Sequence, residues 1–367
     1  MEGMVIDPTF WRGRSVFLTG HTGFKGAWMS LLLGRLGVEV HGFALAPESE
    51  IDLFVTAEVS REVHGKIGDV RDAQALEDAL RASDAEIAIH MAAQSLVRRS
   101  YAEVLETYAT NVMGTAHLLE AARRVPSVRA VLIVTSDKCY ENLAVPHDYR
   151  ETDGLGGHDP YSASKACAEI VTGSYRRSFF QAADKAVIAS VRAGNVIGGG
   201  DWARDRLLPD AMRAFAAGEL LRVRNPNAIR PWQHVFDPVL AYLRIIERLF
   251  TRGHAFAEAW NIGPSPEYQM PVSIIADRVA QLWGGSADWV ADQGEHPHEA
   301  QFLNLDCSKA ATRLGWRPLF SLEAALQLTV AWYRTAHGGA NIRESSLAQI
   351  DRLLQMNATE NDVAAVL

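Results

Sequence analysis

The feature that most restricts the fold of this chain is a set of three glycines spaced by threes, Gly20-His-Thr-Gly23-Phe-Lys-Gly26. It stands between the apolar run Ser15-Val-Phe-Leu-Thr19 and a helical pattern that continues to Leu36. Each glycine has a separate task in such a turn. Gly20 permits the tight reversal, Gly23 lets the backbone approach a pyrophosphate, and Gly26 lets the helix pack closely on the strand with its amino terminus facing the phosphates. An ordinary strand-to-helix turn could carry the same glycines. The setting favours dinucleotide binding, because a second apolar run, Val38 to Ala44, follows the helix and makes a βαβ beginning.

The rhythm continues. Strands are expected at Gly65 to Gly68, Ile87 to His90, Ala130 to Thr135 and Val187 to Val191. Helical patterns lie between them at Ala73 to Arg81, Ala102 to Arg123 and Tyr161 to Phe180. Apolar strands without polar alternation, each followed by a crossover helix, indicate an α/β fold with a Rossmann-type doubly wound parallel sheet. After Arg192, Gly198-Gly-Gly200, Asn225-Pro226, Arg230-Pro231 and Pro264-Ser-Pro266 shorten the elements. Val235 to Phe250 reads as another long helix and Ala259 to Ile262 as a strand that rejoins the sheet. Residues 1–195 with about 234–262 are therefore expected to form the dinucleotide domain. Residues 196–233 with 263–367 are expected to form a smaller, interleaved α/β substrate domain. A helix at Leu322 to Arg334 is followed by a polar tail with little pattern.

Composition narrows the class. The chain has 367 residues, 48% hydrophobic and 22% charged, enough to bury substantial cores. Its 44 acidic and 36 basic residues leave a formal charge of -8, against a nucleic-acid partner, whose affinity would rest on Lys and Arg. Cys139, Cys167 and Cys307 are too few and too scattered for a disulfide framework or a paired metal site. Glu2 and Asp7 stand where a secretory leader would be basic, and no apolar run approaches the ~18 residues of a membrane helix. A soluble cytoplasmic protein without membrane contact is expected.

Tyr161-Ser-Ala-Ser-Lys165 opens a helical pattern, so Tyr161 and Lys165 stand about 40° apart on one helix face. The ammonium is expected to lower the tyrosine pKa from ~10 towards neutrality, so that the phenol can exchange a proton with a sugar hydroxyl. The fifth expected strand runs into Ser136-Asp137-Lys138-Cys139-Tyr140, a polar cluster at the carboxyl end of a parallel strand, where ligands bind in open sheets. A solvated, aspartate-capped turn is the plainer alternative. Cys139 has no histidine beside it and is read as packing.

These motifs resemble the extended short-chain dehydrogenase/reductase superfamily, and within it the nucleotide-sugar 4,6-dehydratases of the CDP-glucose group. The resemblance extends over nearly the whole chain. It rests on the glycine turn, His90-Met-Ala-Ala-Gln94, Asn111-Val-Met-Gly-Thr115, Thr135-Ser-Asp-Lys-Cys-Tyr140 and Tyr161-Ser-Ala-Ser-Lys165. It continues through Val191-Arg-Ala-Gly-Asn-Val-Ile-Gly-Gly-Gly-Asp-Trp202, Ile229-Arg-Pro-Trp-Gln-His-Val235 and His296-Pro-His-Glu-Ala300. NAD is the cofactor the resemblance implies. The acidic residue that often follows the second strand is displaced here, where Pro47 and Glu48 stand after Ala46, so the strand itself does not choose between NAD and NADP.

The resemblance implies that Gly20, Gly23, Phe24, Lys25, Gly26, Asp69, Val70, Ala92, Ala93, Gln94, Asn111, Thr135, Tyr161, Lys165 and Val196 hold the dinucleotide. Asp69 could alternatively cap the following helix, and Asn111 could serve packing. Gln94, Ser136, Asn195, Trp202, Arg230, His298 and Glu299 are expected at the substrate, with the Arg230 fork suited to the diphosphate. His296 and His298 resemble metal ligands only superficially, and no metal is expected.

Catalysis is implied for Ser136, Asp137, Lys138, Tyr161 and Lys165. Tyr161 would take the C4 hydroxyl proton while hydride leaves C4. Asp137 would protonate the departing C6 hydroxyl, and hydride would return to C6. Lys138 would serve C5 as a base, which requires a neutral amine, or as a charge partner for the enolate. A 4-epimerase of the same fold needs no acid at C6, and a non-catalytic dinucleotide sensor needs no Ser136, Tyr161 and Lys165 trio. A homodimer through the helices at Ala102 to Arg123 and Tyr161 to Phe180 is the family expectation, as is deoxysugar supply to lipopolysaccharide O-antigen.

Overall fold

The computed structural model describes residues 6–143, 145–294 and 303–366. Seven strands form one sheet: β1 (Ser15–Thr19), β2 (Glu39–Ala44), β3 (Val63–Ile67), β4 (Ile87–His90), β5 (Ala130–Val134), β6 (Val187–Ala193) and β7 (Ala259–Ile262). All pair in parallel, in the order β3-β2-β1-β4-β5-β6-β7. The order reverses between β1 and β4, and a crevice opens at their carboxyl ends. Thr19 ties those two ends together. Its Oγ1 lies 2.8 Å from His90 Nδ1 and accepts the Met91 and Ala92 N–H groups at 3.2 Å.

Both sheet faces are covered, as the uninterrupted apolar strands require. On one face α1 (Phe24–Arg35) and, from the second half of the chain, α5 (Phe236–Arg252) pack Trp28, Leu32, Phe236 and Leu243 against Val16, Ile89 and Leu132. On the other, α2 (Ala73–Ser83), α3 (Gly114–Arg124) and α4 (Pro160–Phe179) pack Leu76, Leu118 and neighbouring residues against Phe17, Ala88 and Ile133. Short pairings outside the sheet shape the substrate half. They join Val196–Ile197 to Gln233–His234, Leu221–Val223 to Trp289–Ala291, and Ile229–Pro231 to Gln269–Pro271.

Two expectations need correction. The helix expected from Ala102 to Arg123 is broken. Glu103, with φ −124° and ψ 60°, ends Val97–Ala102; then Val104–Tyr108 passes through a π turn, Ala109–Met113, before α3. The wider turn is where Asn111 leaves the helix face to bond Gln94, so a polar contact interrupts the register. The weakly patterned tail is α7 (Ile342–Val366), packed after α6 (Leu322–His337). Ile350 and Leu353 are fully buried on it, Ser346 accepts from Trp332 Nε1 at 2.9 Å, and Arg35 reaches Asp351. The tail thus packs on α6 and also reaches α1. No described helix is long and apolar enough to cross a membrane.

Candidate active site

The crevice widens into a cleft of about 1070 Å³ between the sheet's carboxyl edge and the second half of the chain. At its floor the glycine turn behaves as its spacing demands. Gly20 has φ +77°, and a Cβ there would stand 2.7 Å from Ala92 N; one at Gly26 would stand 2.0 Å from Gly20 O. Strand, turn and helix therefore touch backbone to backbone. A Cβ on Gly23 would meet nothing closer than 3.5 Å, so that position faces open space, and no side chain caps the amino terminus of α1. Phe24, Lys25, Asp69, Val70, Ala92, Ala93, Gln94, Thr135 and Val196 line the same cleft. Asp69 does not cap the next helix: Asp72 does, by accepting from Ala75 N at 3.0 Å, while Asp69 bonds Arg71. Uncapped helix terminus, bare glycine surface and acidic neighbour fit a dinucleotide.

Asn111 behaves differently. It is buried outside the cleft lining, with Oδ1 accepting Gln94 N at 2.9 Å and Nδ2 donating to Gln94 O and Ser164 Oγ. Its contacts shape the Gln94 loop.

At the end of β5, Ser136 caps the single 3-10 turn Asp137–Cys139 by accepting from Lys138 N at 3.2 Å, and its Oγ donates to Asp137 Oδ1 at 2.9 Å. Asp137 is 1% exposed, and Oδ2 has no partner among the described residues. The carboxylate fits because residue 194 is glycine, where a Cβ would stand 1.8 Å from Oδ2. Lys138 lines the cleft beside it. Opposite, α4 starts at Pro160 with Asp159 accepting from Ser162 N, which fixes Tyr161 in the first turn and Lys165 one turn on. Tyr161 hydrogen-bonds Ser136, so redox trio and elimination turn share one site.

Their charges differ from the sequence expectation. Tyr161 is not lowered towards neutrality. Burial pushes it up to about 12, against the Ser136 hydrogen bond and the Arg206 charge, which pull the other way. Helix spacing shows that a lysine is near, but not how dry the site is. Burial takes Lys165 down to about 7, helped by Lys25, and takes Lys25 down to about 8, helped by Arg206. Lys165 Nζ donates to Val134 O at 3.3 Å, and Lys25 Nζ lies 6.0 Å from the centre of the Tyr242 ring. Cys139 is fully buried and its thiol is pushed up by burial, as a packing residue should be.

Asn195, Trp202 and Arg230 all line the cleft. Asn195 has φ +44°; Trp202 packs edge-on to Tyr333 at 4.9 Å; Arg230 is 8% exposed and bonds Ile229 O. His296, His298 and Glu299 lie outside the described residues. Sequence reasoning passed over a second cationic group. Arg206 joins Asp201 at 2.8 Å and Ser95, and Asp205, at φ +65°, accepts from both Arg98 and Arg224. Arg98 also lines the cleft. The charge-dense run Asp201-Trp-Ala-Arg-Asp-Arg206 after three glycines was the available signal.

Comparison with known proteins agrees with this geometry. The chain is 48% identical over 334 residues to a protein of Salmonella typhimurium named CDP-glucose 4,6-dehydratase, covering 90% of this chain and 93% of that one. It is 26% identical over 335 residues to the dTDP-glucose 4,6-dehydratase of Xanthomonas campestris, covering 87% and 92%. Among solved structures, the dTDP-glucose 4,6-dehydratase of Streptomyces venezuelae with NAD bound superposes with TM-score 0.74 at 26% identity, covering 89% of this chain and 98% of that one. The UDP-glucose 4-epimerase of Thermotoga maritima gives 0.76 at 22% identity, covering 88% and 99%, a likeness of fold. Residues 17–329 match the family described as GDP-mannose 4,6 dehydratase, and the chain belongs to that family.

Proposed function

We propose that this chain is an NAD-dependent hydro-lyase that converts CDP-D-glucose to CDP-4-dehydro-6-deoxy-D-glucose and water. The observation that carries the reading is the placement of a buried carboxylate, Asp137, in one cleft with Ser136 and Tyr161, with Lys165 one helix turn behind Tyr161. An epimerase that returns hydride to C4 has no use for an acid at C6. The choice of CDP-glucose among nucleotide sugars is supported by the 48% identity over 90% of the chain. The glycine turn and Val196 would hold NAD, which would supply the acceptor for the C4 hydride and the donor for C6.

The chain's own residues do the rest. Tyr161, with Ser136 as its hydrogen-bond partner, receives the C4 hydroxyl proton. It must be a phenolate to do so; that anion is costly in a dry site, and the Arg206 charge and the Ser136 hydrogen bond offset part of the cost. The C4 ketone acidifies C5, whose proton is assigned to Lys138, and Asp137 gives a proton to the C6 hydroxyl as it departs as water. Arg206, Arg224 and Arg230 supply the charge for the diphosphate.

The exposed apolar side chains Leu105, Met113, Ile170 and Phe179 on α4 and on the segments before α3 support a homodimer through those helices. Three free cysteines accord with a reducing cytoplasm.

Purified protein given CDP-glucose and NAD is expected to form a 4-keto-6-deoxy product without accumulating NADH. Turnover of dTDP-, UDP- or GDP-sugars with none of CDP-glucose would overturn the assignment. Asp137→Asn is expected to reduce bound NAD in a single turnover while forming product at least about a hundredfold more slowly. Loss of the first hydride transfer as well would move Asp137 from elimination to binding.

A further inference from the structure

Behind the cleft, reaching its lining only at Thr135 and Tyr140, lies a buried polar network. Glu169, two turns after Tyr161 on α4, is 5% exposed and both its oxygens are occupied. Oε1 accepts from Thr135 Oγ1 at 2.5 Å; Oε2 accepts from Ser190 Oγ at 2.8 Å and Arg192 Nη2 at 2.9 Å. Arg192, 3% exposed on β6, donates through Nη1 to Tyr140 OH at 2.7 Å, and that hydroxyl donates to Asn261 Oδ1 on β7 at 2.6 Å. The guanidinium also lies 4.9 Å from the centre of the Tyr140 ring.

The two ends of this network are what give it meaning. Thr135 immediately precedes Ser136, and Tyr140 immediately follows Cys139, so Glu169 and Arg192 hold the elimination turn at both ends. Glu169 stands on the helix face that carries Tyr161 and Lys165, since each step of four residues drifts only about 40°. Neither Glu169 nor Arg192 lines the cleft. A buried ion pair is a poor source of stability compared with apolar residues of the same volume, because desolvation consumes the attraction. What it supplies here is a fixed distance between two catalytic elements.

We propose, resting on the dehydratase reading above, that the buried Glu169–Arg192 pair is the positioning device that holds the Ser136 to Tyr140 turn in working register with the helix bearing Tyr161 and Lys165. Both residues act through others. Burial alone would raise Glu169, but Arg192 and the two hydroxyls keep it below the usual carboxylate value, so it is an anion one turn behind Lys165. The groups that face Lys165 are Lys25 from α1, His90 from β4, Cys139 from the turn, and Tyr161 and Glu169 from its own helix. Glu169 and Cys139 favour the ammonium; Lys25 opposes it. Removing the negative charge at 169 therefore moves the Lys165 titration to lower pH.

The test uses the full chain with NAD and the variants Glu169→Gln, Glu169→Asp and Thr135→Val. The Lys165 midpoint is read by NMR of carbon-labelled lysine without sugar, with Lys165→Met for assignment. Glu169→Gln is expected to lower it by about half a unit or more, with Glu169→Asp restoring it. Single-turnover reduction of NAD is compared with deuterium uptake at C5 from solvent. Thr135→Val, which leaves the ion pair intact, is expected to slow C5 exchange about tenfold more than hydride transfer. If Glu169→Gln does not fold, Thr135→Val and Glu169→Asp still decide. An unmoved Lys165 midpoint in folded Glu169→Gln, or equal slowing of both steps in Thr135→Val, would overturn the proposal. Failure of the wild type to turn over CDP-glucose would instead sink the functional reading, leaving the NMR midpoint to judge the pair.

Discussion

Asp137 owes its place to the absence of an atom. The notch at Gly194 admits the carboxylate to a distance at which any Cβ would overlap it, 1.8 Å from Oδ2. Gly194→Ala therefore displaces the acid without touching Tyr161 or Lys165. We expect it to keep reduction of NAD by substrate and to lose elimination by about ten- to a hundredfold, measured as product formed per turnover of the first step. Equal loss of both steps would mean that the notch serves folding only. At this scale the sequence was informative where chemistry is local. Ser136, Asp137, Tyr161 and Lys165 stand in two short motifs, and the structure brings both to one cleft. It was silent on Arg206, whose partner Ser95 is about a hundred residues away in the chain. It was misleading on the Tyr161 pKa, because burial is a property of the folded surroundings and outweighs a neighbour that helix spacing can show.

Strands were easier to read than helices. β1, β4 and β7 lie where their apolar runs placed them, and the other edges moved by a few residues, because a strand buried on both faces leaves a continuous mark in the sequence. The break before α3 left none, since it depends on Asn111 meeting the Gln94 backbone. The same region presents Leu105 at 85% exposure, Met113 at 49%, and on α4 Ile170 at 56%. Scattered exposed leucines are ordinary; a cluster on adjoining helices marks an interface. For the homodimer proposed above, the double variant Leu105→Glu, Ile170→Glu is expected to give a monomer in sedimentation or light scattering where the wild type gives a dimer, with the sheet intact by circular dichroism. A dimer that survives both charges would place the interface elsewhere.

Across the whole molecule, three buried histidines set the response to acid. Burial holds His21 at about 4 and His90 and His234 at about 3, well under the ordinary 6.5. His21 is wedged over the sheet so tightly that a Cβ on Gly42 would stand 2.6 Å from its ring. A depressed histidine is neutral in the folded state and protonates more readily unfolded, so the stability is present above pH 6.5 and drains away as pH falls below it. Between pH 7 and 5 each contributes a loss of about 2 kcal/mol. Asp237 works the other way, since burial raises it to about 7 and its folded form takes up a proton over the same range. The unfolding free energy measured in urea is expected to fall over that interval, and His21→Phe to flatten the slope by about half. A flat profile in the wild type would contradict the histidine account.

The last helix, which the polar tail gave no reason to expect, packs on both α6 and α1. Asn357 accepts from Ile6 N at 3.0 Å and donates to Ile6 O, closing the chain's two ends on each other, while Arg343 spans to Ala57 O and Glu62. This clasp has a consequence for synthesis. Ribosomes deliver the dinucleotide half first, yet its outer surface is sealed only when the final helix has emerged. Until α7 is made, α1 and the segment 57–62 that Arg343 reaches lack one of their packing partners.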